Sequence, residues 1–265
     1  MKYLKLFCQV VFFVFITLLT QIGGVVYILV LLLDRKLNIK HPVKKVAVFM
    51  VLYLMATFLI IPFIAPFFGR EKVKNSQIVR PANYMTLVLN RNYVRPDVNH
   101  LLERVASDLK GTQVQIHYLD ANFPFINKFP LLPHLSHNDG RKIDLSLIYQ
   151  TPDGHISTEK KSRSGYGVFE EPGPNETNQI STCLSSGYFQ YDYPKYLTLG
   201  KINKHLKFSE KGTKILVNAI LKQPGLEKLF IEPHLKSRLK LNSAKIRYHG
   251  CRAVRHDDHI HIQVK

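Results

Sequence analysis

The chain has no tryptophan in 265 residues and only three cysteines. Losing Trp removes one type of stacking residue, although 13 Tyr and 16 Phe remain. There is no internal repeat and no heptad, which excludes a solenoid or a coiled coil. No recognisable nucleic-acid motif is present either, so nucleic acid is not expected as a partner. Acidic residues are scarce: 19 Asp and Glu against 37 Lys and Arg leave a formal net charge of +18. Such a balance favours attraction to anionic polymers or lipid headgroups.

Charge of either sign is missing from two long stretches, Phe7 to Leu33 and Val46 to Phe68. The first is longer than a signal-peptide core, and no convincing A-x-A site follows it. A membrane span needs roughly 20 apolar residues, so the sequence predicts two transmembrane helices, about 7–33 and 46–68, within a segment 1–70. The loop between them carries Arg35, Lys36, Lys40, Lys44 and Lys45 against the single acid Asp34. Short basic loops stay in the cytoplasm, which would put both chain ends outside. The flanks are basic as well, at Lys2, Lys5, Arg70, Lys72 and Lys74.

Residues 71–94 read as a linker, polar from Glu71 to Tyr84, leading to one domain over 95–265. Val98, Leu101, Leu102, Val105 and Leu109 recur at helical spacing, with Asp97 as a candidate cap. Residues 114–119 and 143–149 alternate like strands. In the second of these, Ile143, Leu145 and Leu147 face a core and turn Asp144 and Ser146 the other way. Ser164 to Tyr193, rich in Tyr and Gly, is a candidate cleft wall. Ser209 is a plausible N-cap for a helix over 209–222, which Gln223-Pro224-Gly225 stops. This order predicts an α+β domain with a small, mainly antiparallel sheet and flanking helices. Cys183 and Cys251 are candidates for a disulfide, the alternative being two buried thiols.

Chemistry concentrates at the end of the chain. His256 to His261 read HDDHIH, and HIHIQVK alternates polar with apolar residues as a half-buried strand does. His259 and His261 fall on one face, with Ile260, Ile262 and Val264 behind them. Upstream, His137 precedes Asp144, with Gly140 between them to let the backbone turn. Two imidazoles and a carboxylate suit zinc held by three protein ligands, with a position left open. The terminal strand supplies His261. Both of its histidines can converge, but one ligand and one neighbour for proton transfer is the easier geometry.

The pattern H-x6-D followed by H-x-H resembles the lysostaphin, D-Ala-D-Ala peptidase and hedgehog group of metallopeptidases. Within it, His134-x-x-His137-x-x-Gly140-x-x-x-Asp144 with His256-Asp257-x-His259-x-His261 is similar to the penicillin-insensitive murein endopeptidases. The segment LEKLFIEPHLKSRL is similar to their approach to the last motif. The resemblance covers two blocks and leaves out the middle region and the apolar helices.

It implies zinc bound by His137, Asp144 and His261. His259 would be the catalytic histidine, with His256 and His134 supporting the site; His256, Asp257 and Asp258 are the candidates to orient His259, since a hydrogen bond to one ring nitrogen fixes the tautomer. It also implies an endopeptidase acting on peptidoglycan peptides, which the two apolar runs would anchor to the outer side of a bacterial cytoplasmic membrane. His256 stands where the dipeptidase branch usually has Glu, which favours the endopeptidase branch. Lys142 stands where the family tends to have an acidic or small residue, which bears on substrate preference. A D-Ala-D-Ala-type carboxypeptidase and a non-catalytic binder of cell-wall peptide are the alternatives.

Overall fold

A computed structural model of the chain describes residues 2–39 and 41–265. Lys40, counted above in the basic loop, lies outside the described residues. Three helices come first: α1 (Lys2–Thr20), α2 (Gly23–Leu37) and α3 (Pro42–Met55). The strands follow as β1 (Glu71–Lys72), β2 (Val79–Pro81), β3 (Tyr93–Val94), β4 (Ile116–Tyr118), β5 (Lys142–Ser146) and β6 (Tyr149–Gln150). They continue as β7 (Ile156–Ser157), β8 (Lys207–Phe208), β9 (Leu226–Phe230), β10 (Ile246–Arg247) and β11 (His259–Val264). The chain divides into two compact units, one of residues up to Val73 with Met85–Pro96 and Ala121–Gly140, the other of Lys74–Tyr84, Asp97–Asp120 and Arg141–Lys265.

In the first unit, the apolar run expected as one helix over 7–33 is two helices. Gln21 takes a left-handed backbone (φ +66°) and ends α1. Gly23 and Gly24 then let α2 fold back closely: a Cβ on Gly24 would lie 2.0 Å from Thr17 Oγ1 and 2.6 Å from the Phe13 ring. At 15 residues α2 is too short to cross a bilayer core by itself. Among the described residues, two helices are long and apolar enough to span a membrane, Lys2–Thr20 and Pro42–Phe68. The second continues α3 through a π-turn at Ala56–Ile60. Pro62 explains the irregularity, because it has no N–H for the helical ladder.

The same unit holds most of the expected linker, which is ordered structure. β1 pairs antiparallel with β3. Tyr93 is fully buried in a cluster with Ile22, Val26, Tyr53, Ile61 and Ala65. The Tyr53 hydroxyl donates to Val88 O at 2.6 Å, and Asn90 donates to Tyr53 and Thr57, each at 3.2 Å. These bonds satisfy polar groups that would otherwise be stranded among apolar side chains.

The second unit is α+β with mixed sheets. Its six-stranded sheet runs β10-β9-β11-β5-β4-β2, and a three-stranded sheet runs β7-β6-β8. The central pairings β9–β11, β11–β5 and β5–β4 are antiparallel, but β10–β9 and β2–β4 at the edges are parallel. The helix Pro96–Asp108 buries Val98, Leu101, Leu102 and Val105. Asp97 is not its cap; it lies in the first turn, where its charge suits the helix dipole. Ser209 does cap Glu210–Leu221, accepting from Gly212 N–H at 3.2 Å.

Cys183 and Cys251 form a disulfide that ties the helix Gln179–Ser185 to the loop entering β11. The closed loop spans a sequence separation of 68, so on chain entropy alone opening it removes about 4 kcal/mol of stability. Reduction, or Cys183→Ser, should lower the melting temperature of the detergent-solubilised protein; an unchanged melt would show that the bridge does not constrain the chain.

On β4, burial lowers the His117 pKa to about 4, assisted by the charges of Arg80 and Lys160. The unfolded chain takes up this proton near pH 6.5 and the fold does not. Stability is therefore complete above pH 6.5 and falls as pH drops toward 4. His117→Gln should flatten the melting-temperature slope between pH 7 and 5.

Candidate metal centre

The centre is built on the pairing of β5 with β11. His261 lies directly opposite Asp144, and His259 opposite Ser146. Because side chains alternate along a strand, these four share one face. Ile143, Leu145, Ile260 and Ile262 occupy the other and are fully buried. The face expected to be open to solvent is interior as well: Asp144 is 0 %, His259 1 % and His261 2 % exposed. Tyr166, Phe230 and His256 cover it, their rings within 4.8 to 5.4 Å of His259 or His261.

Buried polar groups need partners, and this face supplies them. One Asp144 oxygen, Oδ1, lies 2.8 Å from His261 Nδ1 and 3.8 Å from His259 Nε2. The other, Oδ2, accepts from the Tyr166 hydroxyl at 2.9 Å. Of the residues read as candidates to orient His259, Asp258 does so, with Oδ1 2.5 Å from His259 Nδ1. Asp257 faces away from that imidazole into an ion pair with Arg255. His256 stacks on His249 with ring centroids 5.5 Å apart, and its N–H donates to Glu232 at 2.8 Å.

Electrostatics separate the two histidines. Burial by itself would lower the His259 pKa. The Asp144 and Asp258 carboxylates and the Asp258 hydrogen bond outweigh it and raise the value to about 9. His256 moves the other way: burial first, then the nearby imidazoles, hold it well below its ordinary value. The two shifts are opposite because carboxylates face His259 and other imidazoles face His256.

The loop before β5 carries the remaining candidates. His137 is 1 % exposed. Its Nδ1 lies 2.6 Å from Ala121 O. A carbonyl only accepts, so Nδ1 carries a proton there. Gly140 has φ +82°, the left-handed turn the sequence suggested, and donates to Asn122 Oδ1 at 3.0 Å. His134 and His137 belong to the first unit, and Asp144, on β5, to the second. On the paired strands β5 and β11, two imidazoles with a carboxylate match the donor set that zinc takes.

Sequence reasoning missed Tyr166, Glu232 and Arg255. Tyr166 fell inside the stretch read as a cleft wall, where its Gly-Tyr-Gly context was the available signal. Glu232 and Arg255 carried none, because their partners lie far off in the chain: Glu232 accepts from Tyr191 O–H, and Arg255 reaches Glu171 and Asp192.

Compared with known proteins, the chain matches no protein-family model and no curated protein. Titration of the metal-free protein with zinc or cobalt(II) should show one tight site. Asp144→Ala should abolish it, since Asp144 belongs to every grouping described above; retention of full affinity would refute the centre.

Proposed function

We propose that the chain is a membrane-anchored, zinc-dependent hydrolase of peptide crosslinks in peptidoglycan, akin to the penicillin-insensitive murein endopeptidases, and that its sheet is a variant of their fold. The observation that carries this reading is the buried convergence on Asp144: His261 meets its carboxylate across the strand pair, and His259 stands beside the same oxygen. In this reading His137, Asp144 and His261 hold the ion, with His134 beside them. Bound zinc supplies Lewis acidity and brings the pKa of a coordinated water to about 7.

The chain's own residues do the rest. Asp258 fixes the ring plane of His259 and keeps a proton on Nδ1. A protonated His259 offers positive charge and a hydrogen bond at Nε2, where negative charge would develop on a scissile carbonyl. His256, kept neutral, packs against it at 4.8 Å and limits its movement. Burial of all three strengthens each electrostatic contact among them.

Two further features support the setting. Helices Lys2–Thr20 and Pro42–Phe68 can anchor the chain in a bilayer. The Cys183–Cys251 bridge suits an oxidising compartment, which supports a hydrolase domain on the periplasmic or extracellular side of a bacterial cytoplasmic membrane. An excess of cationic side chains suits an anionic wall or lipid surface.

The test is hydrolysis of purified crosslinked muropeptides by the full chain in detergent. Asp144→Ala and His261→Ala should each lose zinc and cleavage. His259→Ala should keep zinc and lose turnover by 10²-fold or more, the scale of general acid–base and oxyanion groups. Cleavage by both ligand variants at the native rate would overturn the proposal. Release of free D-alanine instead of split crosslinks would make the enzyme a carboxypeptidase, and zinc binding without hydrolysis would make it a binding protein.

A further inference from the structure

Gly165-Tyr166-Gly167 lies outside both motif blocks yet touches both halves of the chemistry in the second unit. Tyr166 is 8 % exposed. Its hydroxyl oxygen lies 3.0 Å from Asp120 N and 2.9 Å from Asp144 Oδ2. A backbone N–H can only donate, so the hydroxyl accepts there and must turn its own proton to the carboxylate. Oδ2 is thereby engaged, and Oδ1 is the oxygen that faces His261 and His259. One residue on, Gly167 N–H donates to Asp258 Oδ2 at 2.6 Å, and Asp258 grips His259 through its other oxygen. The Tyr166 ring also stands edge-on to His259, with centroids 5.2 Å apart.

The turn has little freedom to move. Gly165 (φ +94°) and Gly167 (φ +76°) take backbone conformations that L side chains rarely adopt. A Cβ would lie 2.3 Å from Leu119 Cδ2 at the first and 2.2 Å from Pro194 O at the second. Ser162 Oγ donates to Tyr166 O at 2.7 Å and accepts from Gly165 N–H at 3.0 Å, and Ser164 Oγ accepts from Tyr166 N–H at 3.1 Å.

We propose that this glycine–tyrosine–glycine turn is a positioning element that presents Asp144 to the metal through one oxygen and, through Asp258, sets the orientation of His259. It rests on the zinc-hydrolase reading and adds to it a single device governing both metal affinity and the catalytic imidazole. Tyr166 is a positioning residue: it holds a ligand and does not touch substrate. A partner of this kind behind a ligand typically sets metal affinity or activity by 10- to 100-fold.

The experiment measures zinc affinity by competition with a chelating dye, and the visible spectrum of the cobalt(II) form, for the full chain in detergent. Tyr166→Phe removes one hydroxyl and keeps the ring. It should weaken zinc binding about 10- to 100-fold and alter the cobalt spectrum, while the metal-free protein melts within a few degrees of the native chain. Asp258→Asn should leave zinc affinity within about threefold and shift the pH profile of kcat, separating the two arms of the device. Native affinity and an unchanged cobalt spectrum in Tyr166→Phe would overturn the inference while leaving the hydrolase reading intact. Failure of the native chain to bind zinc would sink that reading and this one together. Should Tyr166→Phe not fold, Ser162→Ala, which frees the Tyr166 carbonyl, replaces it: weaker zinc binding supports the turn's role and native affinity refutes it.

Discussion

Everything chemical in the second unit depends on one strand register. β11 lies against β5 so that His261 falls opposite Asp144. A slip of one residue would turn both histidines to the apolar face and bring Ile260 and Ile262 to the carboxylate. The isoleucines make that slip expensive. They are fully buried with Ile143 and Leu145, and each would exchange that core for a polar layer. Burial of four aliphatic side chains on one face therefore holds the imidazoles and the carboxylate together on the other.

Burying so many ionisable groups is costly unless each is paired, and the surroundings show how this is met. Arg255 is 2 % exposed, pairs with Asp257, Asp192 and Glu171, and stacks on Phe169 with its guanidinium 3.8 Å from the ring centroid. Glu232 takes the Tyr191 hydroxyl and the His256 N–H. The disulfide then anchors the loop that carries Arg255 and His256 toward β11. Behind the histidine face stands a polar layer in which donors and acceptors are matched. Such a layer resists rotation of any one member, because a turned group would leave its partner buried and unsatisfied. The small conformational freedom of His259 follows from its two carboxylate neighbours and from the rings of Tyr166 and His256.

Local patterns were legible wherever the physics is local. Strict alternation in HIHIQV marked β11, and the helical spacing of Val98, Leu101, Leu102 and Val105 marked the buried face of its helix. Ser209 read correctly as a cap because its partner is three residues away. The apolar run from Phe7 misled, since hydropathy records composition and not backbone direction; Gln21 and the two glycines break it while keeping it apolar throughout. Residues 71–94 misled for the opposite reason. Their polar side chains suggested a linker, yet Tyr93, Val94 and Asn90 are buried by partners distant in sequence.

The sequence by itself determined which residue types are available for metal chemistry, which of them share a strand face, and that apolar runs long enough for a bilayer are present. These follow from backbone periodicity and hydropathy, which act over a few residues. Only the tertiary structure decided that the histidine face is buried, that Asp258 and not Asp257 addresses His259, and that Tyr166 closes on Asp144. Those outcomes turn on which distant segment packs over the sheet, and an interior polar group takes whichever partner that packing brings within hydrogen-bond reach.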